Sequence, residues 1–297
     1  MTMPAHLWAL EAEAIRILRD GVAEASNPVL LFSAGKDSTV LAHLALRAFH
    51  PSRPPMPLLH VDSTWEFRDL LAFRDAFAAD RGFELIVAAN EEGRRDGINP
   101  FDHGDIYTTL MRTEVLKHAL DEGGYDVIFG GARRDEEASR AKERIVSVRN
   151  PGHVWEPRFQ RPEVGHLFNW RKTTGQTLRA FPLSNWTEFD VWLYIALREI
   201  ELAPLYYSAV RTVVDRDGVK LVVDDPTRMR WREGEKPKEE RVRFRTLGCW
   251  PVTGAISSDA ASNEDIFLET IRSRLSERQG RVSDTGSLES QKRQGYF

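Results

Sequence analysis

One short stretch near the amino terminus constrains the fold of this chain more than any other. An apolar run from Val29 to Phe32 is typical of a buried parallel strand, and a turn of small residues, Ser33 to Lys36, follows it. Asp37 and Ser38 suit the first turn of a helix, and the apolar residues after them recur at helical spacing. A strand, a tight turn and a helix in this succession place backbone N–H groups and the positive end of a helix dipole around one point. The stretch therefore predicts an anion cradle in an α/β fold, with a nucleotide's phosphates as the natural guest.

The loop differs from two common phosphate-binding motifs. Leu30 and Asp37 stand where a Walker A motif needs Gly and Ser or Thr, and two glycines of the dinucleotide fingerprint are missing. The loop instead resembles the Ser-Gly-Gly-x-Asp-Ser loop of ATP-pyrophosphatases, which cleave ATP between the α and β phosphates. Ala34 replaces one glycine and removes little room. The resemblance implies that six consecutive residues bind ATP: Ser33, Ala34, Gly35, Lys36, Asp37 and Ser38. An ordinary surface turn is the alternative.

Strand and helix patterns alternate over residues 1–205, with an amphipathic helix over residues 5–25 at the start. This alternation predicts an α/β fold, a doubly wound and mostly parallel five-stranded sheet. Ligands of such sheets bind beyond the carboxyl ends of the strands, where three polar segments converge: Ser33 to Ser38, His60 to Thr64, and Gly130 to Asp135. The five strands are expected at Val29 to Phe32, Pro57 to Asp62, Phe83 to Ala88, Asp126 to Gly131 and Leu178 to Leu183.

Residues 206–297 are expected to form a C-terminal extension, because the alternation stops there. Val210 to Val214 and Val219 to Val223 predict a β-hairpin, and Asn263 to Leu275 predicts a last helix. Between them, Arg228 to Arg245 is rich in basic residues and has no clear period. This segment is either a solvated loop or a segment that becomes ordered on a partner or over the nucleotide.

A second informative stretch, rich in arginine, follows the fourth predicted strand. Gly130 and Gly131 permit close approach of a ligand to the backbone, and Arg133 and Arg134 follow them. If a helix starts at Asp135, four charged residues lie along one side of it: Glu136, Arg140, Glu143 and Arg144. Such a face is either a solvated, salt-bridged helix or, beside the phosphate loop, a set of guanidinium groups that bind a tetrahedral oxyanion.

Composition limits the class of protein. The net charge of −4 gives no reason to expect nucleic acid or an anionic membrane as a partner, and no apolar stretch approaches the length of a membrane span. The single cysteine, Cys249, excludes a disulfide within the chain and suits a reducing compartment, so we expect a cytoplasmic protein.

Over nearly its whole length, the chain resembles the small subunits of bacterial sulfate adenylyltransferases. These are ATP sulfurylases of the ATP-pyrophosphatase superfamily. The matching runs are Phe32 to Ser38, Pro57 to Asp62, Ile98 to Phe101, Phe129 to Arg144, Phe181 to Thr187, Val242 to Pro251, Ser276 to Arg281 and Lys292 to Phe297.

The resemblance implies that a sulfate oxygen attacks the α-phosphorus of ATP, which gives adenosine 5′-phosphosulfate and pyrophosphate. Lys36, Arg133 and Arg134 would be catalytic, and Mg²⁺, with Asp37 or Asp135 as candidate ligands, would assist. Four more residues would bind ATP besides the loop: His60, Asp62, Gly130 and Gly131. The candidates for binding sulfate are Arg133, Arg134, Arg140, Lys142 and Arg144.

The resemblance also implies a partner, a larger GTPase subunit that binds GTP and couples its hydrolysis to the reaction. Residues 206–297 are the expected docking surface for that subunit. An ordinary buried histidine is the alternative for His60.

Other functions remain open. A phosphosulfate reductase has the same fold but uses a cysteine near its C-terminus, whereas Cys249 lies in a different context and is expected to be structural. A non-catalytic, nucleotide-binding regulatory subunit is the other alternative. A tRNA-modifying member of the superfamily fits the acidic net charge poorly.

Overall fold

The structure, a computed structural model, describes residues 2–137, 140–165 and 167–272. Helices and strands alternate through the first two thirds of the chain, as the sequence predicts. The helices are α1 (Ala5–Glu24), α2 (Lys36–Phe49), α3 (Arg68–Arg81), α4 (Glu91–Arg95), α5 (Pro100–Thr108), α6 (Glu114–Glu122), α7 (Glu188–Arg198) and α8 (Asn263–Arg272). The strands are β1 (Pro28–Leu31), β2 (Leu58–Asp62), β3 (Leu85–Ala89), β4 (Val127–Phe129), β5 (Val146–Arg149), β6 (Thr177–Ala180), β7 (Ala209–Arg216), β8 (Val219–Val222), β9 (Lys238–Arg243) and β10 (Gly254–Ser257).

The main sheet has the strand order β3-β2-β1-β4-β6-β5. The five predicted strands are parallel to one another, so the doubly wound sheet is confirmed. The expected number of strands is wrong, because β5 adds a sixth strand antiparallel to β6. The chain moves outward in one direction from β1 to β3 and returns on the other side at β4. The strand order therefore reverses between β1 and β4, where α/β sheets bind their ligands.

The two faces of the sheet bury separate sets of apolar side chains. On one face Leu30 and Phe129 pack with α1, α2 and α7 in the larger core. On the other face Val29 and Ile128 pack with Leu116 and Leu120 of α6. Alternate residues of a strand point to opposite faces, so these continuous apolar strands serve both cores at once.

The helix predicted at Asp135 is wrong within the described residues. A turn covers residues 134–136, and one short 3₁₀ turn covers Arg140–Lys142. The Asp135 carboxylate instead accepts the backbone N–H of Glu188 at 3.0 Å, at the start of α7. It therefore supports the N-terminus of a different helix. At the start of the same helix, Thr187 and Asp190 form a reciprocal capping box.

The extension forms a small closed barrel with the strand order β10-β8-β7-β9. Its β7–β8 hairpin confirms the prediction, with Val214 opposite Leu221. The expectation that Arg228 to Arg245 is without regular structure is wrong for residues 238–243, which form β9 beside β7. Charged pairs across the barrel explain this strand, because Lys238 contacts Asp215 at 2.6 Å and Lys220 contacts Glu240 at 2.6 Å.

Across the described residues, every helix is too short or too polar to cross a membrane. The last predicted helix is confirmed from Asn263 to Arg272, and its remainder lies outside the described residues. The motifs Ser276 to Arg281 and Lys292 to Phe297 also lie outside them.

Candidate functional site

The predicted phosphate loop connects β1 to α2 at the point where the strand order reverses. Gly35 is the N-cap residue of α2 and has no side chain with which to cap it, so the helix N-terminus faces the loop. The Ser33 and Ser38 hydroxyls lie 3.2 Å apart across the turn, and the Ser38 hydroxyl donates to the Gly35 carbonyl at 3.0 Å. These bonds fix the curvature of the cradle that the sequence predicts.

Ala34 adopts a left-handed backbone conformation, with φ of +56°. Glycine enters this region without steric cost, whereas an L-residue is strained there. Ala34 is also fully buried, so its methyl group fills space beneath the loop. The replacement of glycine by Ala34 therefore strains the backbone, a cost that the sequence analysis, which considered only room, did not anticipate.

The Asp37 carboxylate binds two positively charged side chains at the loop. Its Oδ2 lies 3.0 Å from Lys36 Nζ, and its Oδ1 accepts Arg133 Nε at 2.7 Å. Both cationic side chains are almost completely buried. Burial alone would raise the pKa of the Asp37 carboxyl, but the charges of Lys36 and Arg133 outweigh it and hold that pKa well below its usual range. The three groups carry one net positive charge at the helix N-terminus, which suits a polyphosphate.

The chain after β4 touches the loop directly. A Cβ atom on Gly131 would lie 3.1 Å from the backbone carbon of Asp37 and from the backbone nitrogen of Ser38. A Cβ atom on Gly130 would meet only the ring of Phe181, also at 3.1 Å. Gly131 therefore allows the two segments to pack together, and this contact places Arg133 beside Asp37.

Tyr206 is a loop contact that the sequence analysis missed. Its buried hydroxyl accepts the backbone N–H of Lys36 at 2.8 Å, and its ring packs edge-on against Trp192. Tyr206 lies 170 residues from the loop in sequence and only three residues before β7. No local motif marks a hydroxyl of this kind, because only the tertiary fold brings it to the loop.

At the end of β2, His60 is buried, and its Nδ1 lies 2.8 Å from the Phe32 carbonyl oxygen. A carbonyl only accepts, so Nδ1 carries the proton and donates it. Burial, with the charge of Arg74, lowers the pKa of His60 to about 4, so the ring is neutral at pH 7. Asp62 Oδ1 accepts the Thr64 N–H at 2.7 Å.

Glu66 is a second residue that the sequence analysis missed. Its Oε1 accepts the Ser63 hydroxyl at 2.6 Å. Burial raises the pKa of Glu66 to about 7, and the neighbouring charge of Asp62 contributes to this rise. A carboxyl group that titrates near neutrality therefore lies next to Asp62.

A cavity of about 650 Å³ opens beyond the ends of β2 and β3. Arg228 of the extension closes one side, where its guanidinium carbon lies 3.8 Å from the centre of the Trp65 ring. The basic segment Arg228 to Arg245 thus reaches this cavity through Arg228. The lining residues include Asp62, Trp65, Glu66, Asn99, Arg228 and Arg230.

The structure brings three of the five sulfate candidates together. Arg133, Arg134 and Arg140 line one small cavity with Glu143, whereas Lys142 and Arg144 do not line it. Arg134 binds Glu163 at 2.9 Å, and Arg140 binds Glu136 at 3.0 Å. Of the three, Arg133 has the direct contact with the phosphate loop.

The metal candidates are both bound to Arg133, which lies 2.7 Å from Asp37 and 3.5 Å from Asp135. In the parts of the chain that the structure covers, no three His, Cys, Asp or Glu side chains are grouped as metal ligands. The residues present therefore fit an ion held mainly by phosphate oxygens, because both oxygens of Asp37 already bind cationic side chains.

Cys249 is buried, with its Sγ 3.0 Å from the Tyr107 hydroxyl and 3.2 Å from the Ser63 hydroxyl. Burial raises the pKa of its thiol. A protonated, enclosed thiol is a poor nucleophile, which agrees with the structural role expected for Cys249.

These features define an α/β nucleotide-binding protein with a phosphate loop at the switch point of its sheet. Residues 27–255 match the family described as the phosphoadenosine phosphosulfate reductase domain. Sulfate adenylyltransferase subunit 2 of Burkholderia lata is 56% identical over 299 residues, covering 99% of this chain and 100% of that protein. The same subunit of Halorhodospira halophila is 56% identical over 98% of this chain and 97% of its own length.

The chain therefore belongs to the sulfate adenylyltransferase subunit 2 family, within the phosphoadenosine phosphosulfate reductase domain family. A crystal structure of a mutant FMN adenylyltransferase from Candida glabrata is similar in fold, with a TM-score of 0.50 and 13% identity. The alignment covers 95% of this chain and 91% of that one.

Proposed function

We propose that this chain transfers the adenylyl group of ATP to sulfate, which gives adenosine 5′-phosphosulfate and pyrophosphate. The observation that carries the proposal is the contact of Asp37 with both Arg133 and Lys36 at the N-terminus of α2, in a chain 56% identical to a sulfate adenylyltransferase subunit 2. This contact joins the ends of β1 and β4, so a phosphate chain on the loop lies beside the arginine segment. Sulfate binding nearby would face the α-phosphorus.

The phosphates and the nucleoside bind to different parts of the site in this proposal. The N-terminus of α2 and Lys36 bind the β- and γ-phosphates, where negative charge grows as pyrophosphate leaves. The cavity beyond β2 and β3 takes the adenosine half, next to Asp62. His60 supports the loop from beneath through its bond to the Phe32 carbonyl.

The sulfate subsite lies at Arg133, Arg134 and Arg140, which line one cavity of about 10 Å³, so these side chains must move apart to admit the anion. Sulfate is fully ionised at neutral pH, so its attack needs no general base, and catalysis consists of positioning and charge stabilisation. Arg134 and Arg140 also bind carboxylates of the chain, which holds their guanidinium groups in place. Lys142 and Arg144 remain candidates for guiding the anion to the site.

Mg²⁺, when bound with ATP, would neutralise phosphate charge, and Asp37 is the residue placed to touch it. Asp135 is the other candidate, and either carboxylate would exchange a present partner for the ion: Asp37 a contact with Lys36 or Arg133, and Asp135 its bond to the Glu188 N–H. The name subunit 2 of the relatives supports a partner subunit. We propose that this partner is a GTPase that binds GTP, and that the enzyme works in the cytoplasm.

Residues 206–297 remain our proposal for the surface that docks the partner. The exposed bases Arg232 and Arg241 belong to the segment that the sequence analysis singled out, and their side chains are more than half exposed. Deleting Arg228 to Arg245 would remove β9 from the barrel, so charge reversal is the sharper test. Arg232→Glu with Arg241→Glu should weaken binding of the partner subunit, whereas Arg95→Glu on α4 should not. Equal binding by both variants would contradict this docking surface.

The test of the reaction measures pyrophosphate release from ATP by the full chain, with and without sulfate. It is repeated with and without the partner subunit and GTP. We expect sulfate-dependent release that rises with partner and GTP and falls by roughly 100-fold or more in Lys36→Ala. Lys117→Ala is the control, because α6 packs on the face of the sheet opposite α2 and Lys117 pairs with Glu114 at 3.0 Å. Release that never depends on sulfate would overturn the proposal, whereas ATP binding without any release would favour a regulatory subunit.

A further inference from the structure

Two neighbouring carboxyl groups, those of Asp62 and Glu66, line the cavity beyond the ends of β2 and β3. The Asp62 side chain is 23% exposed, and its Oδ1 accepts the Thr64 N–H at 2.7 Å. Thr64 has a φ of +67°, so the backbone is strained where it donates to Asp62. The Oδ2 of Asp62 lies 3.9 Å from Arg74 Nη1, which is longer than a hydrogen bond. An acceptor oxygen of Asp62 therefore remains available to a donor that enters the cavity.

A buried cation lies beside Asp62. Arg74 of α3 is 8% exposed and binds Asp75 at 2.8 Å. The Nη1 of Arg74 is enclosed and has no hydrogen-bond partner among the described residues, although it lies 3.9 Å from Asp62 Oδ2. Unpaired buried N–H groups are rare, so this one marks an arrangement that holds positive charge close to Asp62. Coulomb attraction to Arg74 keeps the Asp62 carboxylate at this end of the cavity.

Glu66 contacts Asp62 from the other direction. Its Oε1 accepts the Ser63 hydroxyl at 2.6 Å and the Ser63 N–H at 3.1 Å. Its Oε2 is enclosed and accepts no hydrogen bond from the described part of the chain. When Glu66 carries a proton it hydrogen-bonds Asp62, and burial together with this bond raises the pKa of Glu66 to about 7. A protonated carboxyl group donates, so the proton of Glu66 orients the Asp62 carboxylate.

The groups that face Glu66 differ in how they respond to pH. Burial raises the pKa of the Tyr107 phenol and that of the Cys249 thiol above their usual values, so both stay neutral near pH 7. Arg112 keeps its positive charge, which opposes the rise in the pKa of Glu66. In this cluster, Glu66 therefore changes its charge between pH 6 and 8. The other charged residues that line the cavity are Arg68, Arg94, Asp224, Asp225, Arg228 and Arg230.

The order of the strands places Asp62 between the phosphate loop and the far wall of the cavity. The loop follows β1, Asp62 ends β2 beside it, and Arg94 to Asn99 follow β3 on the outer side. The ribose of ATP lies between the phosphates and the base. A nucleotide with its phosphates on the loop and its adenine in the cavity therefore brings its ribose hydroxyls past Asp62.

A carboxylate at this point suits a sugar and repels an anion. Each ribose hydroxyl can donate a hydrogen bond, and an ionised carboxylate only accepts. A carboxylate that binds a ribose hydroxyl is also how many dinucleotide-binding α/β folds hold the sugar. Resting on the proposed ATP site, we propose that Asp62 accepts a hydrogen bond from a ribose hydroxyl of ATP and that Glu66 positions Asp62 for this contact. The contact makes the site selective for ribonucleotides.

The test measures the affinity of the full chain for ATP, 2′-deoxy-ATP and 3′-deoxy-ATP by titration calorimetry in the presence of Mg²⁺. The wild type should bind ATP roughly 10- to 100-fold more tightly than at least one of the two deoxy analogues, because a hydrogen bond to a charged group is lost. In Asp62→Asn this ratio should fall to about threefold or less, because an amide N–H₂ replaces an acceptor oxygen.

The matched control is Asp225→Asn. Asp225 lines the same cavity, but its Oδ2 binds Arg68 at 2.7 Å. This variant should keep the wild-type ratio between ATP and the deoxy analogues. Equal affinity of the wild type for all three nucleotides would overturn the ribose contact, and this comparison needs no variant to fold. Loss of the ratio in Asp225→Asn with its retention in Asp62→Asn would also overturn it.

The role of Glu66 is tested through the pH dependence of the same ratio. The three nucleotides carry the same phosphates, so titration of the phosphates cancels. In the wild type the ratio should fall as the pH rises from about 6 to 8, because an ionised Glu66 no longer donates to Asp62. Glu66→Gln keeps an N–H donor and should hold the ratio constant across this range, whereas Glu66→Ala should lower it at both ends. A ratio in Glu66→Gln that falls as in the wild type would overturn the positioning role.

These measurements separate the ribose contact from the proposed reaction. Equal binding of the three nucleotides, together with sulfate-dependent release of pyrophosphate, would overturn the ribose contact alone. Failure of the full chain to bind ATP at all would overturn both proposals.

Discussion

The hydroxyl of Tyr206 accepts the backbone N–H of Lys36 at 2.8 Å, and this bond ties the phosphate loop to the segment that leads into the barrel. The bond is buried, so the N–H has no ready access to water as a substitute. The geometry of the loop therefore depends on a residue outside the segment that forms it.

We expect Tyr206→Phe to weaken ATP binding about tenfold, because a buried donor without an acceptor costs roughly 1–3 kcal/mol. The ring and its contact with Trp192 remain. Titration calorimetry with ATP measures the effect. Tyr207→Phe is the matched control, since it removes a hydroxyl that donates to Asn263 at 2.7 Å and does not reach the loop. Equal affinity of both variants for ATP would refute the role of Tyr206.

Gly131→Ala should disturb the loop itself. Its Cβ would lie 3.1 Å from backbone atoms of Asp37 and Ser38, which cannot rotate away. We expect a loss of about 1–3 kcal/mol in the free energy of unfolding, with a fall in pyrophosphate release. The Cβ of Gly130→Ala would lie at the same distance from the Phe181 ring, which can move. This variant should therefore lose less stability and less pyrophosphate release. The reverse ranking would show that the contact with Asp37 is unimportant.

Two substitutions at Ala34 should separate strain from packing. Ala34→Gly relieves a left-handed backbone, worth roughly 1–2 kcal/mol, and loses a buried methyl group, worth about 0.8 kcal/mol. Its stability should therefore stay within about 1 kcal/mol of the wild type by these figures. Ala34→Val places a branched side chain in the same conformation and should be strongly destabilised in urea titrations. A Val variant as stable as the Gly variant would argue against strain at this position.

His60 should make the protein less stable in mild acid. Its pKa is lowered from 6.5 in the unfolded chain to about 4 in the folded protein, by burial and by the charge of Arg74. Between these values the unfolded chain binds the extra proton, so the free energy of unfolding falls as the pH falls from about 6.5 to 4. The loss from His60 alone is on the order of 3 kcal/mol.

The measurement is the free energy of unfolding of His60→Asn across that pH range. In this variant the free energy of unfolding should depend less steeply on pH. The remaining dependence should include the part due to His43, because burial also lowers the pKa of His43 to about 4. The double variant with His43→Asn should be flatter still. A slope for His60→Asn that matches the wild type would show that His60 titrates normally in the folded protein.

The fold was largely predictable where local patterns and burial agree. The continuous apolar runs of β1, β2 and β4 indicated buried parallel strands, and the Ser33–Ser38 loop was placed correctly between β1 and α2. Strand β5 was missed because Ser147 and Arg149 occupy one of its two buried faces, where pairing with Glu143 replaces apolar packing. Strand β9 was missed because its residues are mostly charged and are stabilised by cross-strand pairs.

The candidate site was predictable only where its residues lie in or next to predicted strands and the loop. Gly131 and Arg133 follow a predicted strand, so their approach to the loop could be expected from topology. Tyr206 and Glu66 could not be expected, because their contacts and the pKa of Glu66 near 7 arise from tertiary burial. The prediction of a helix at Asp135 was wrong for a related reason, because the Asp135 carboxylate instead accepts the Glu188 N–H at the start of α7.

The closed barrel of β7 to β10 has a consequence for how a partner recognises it. Each of its four strands is paired on both sides, so the barrel offers no open edge to which a strand of another protein could add. Recognition there must rely on side chains, and the exposed ones include many charges. Association through this surface should therefore weaken as salt rises, in contrast to the salt-tolerant backbone pairing of a shared sheet.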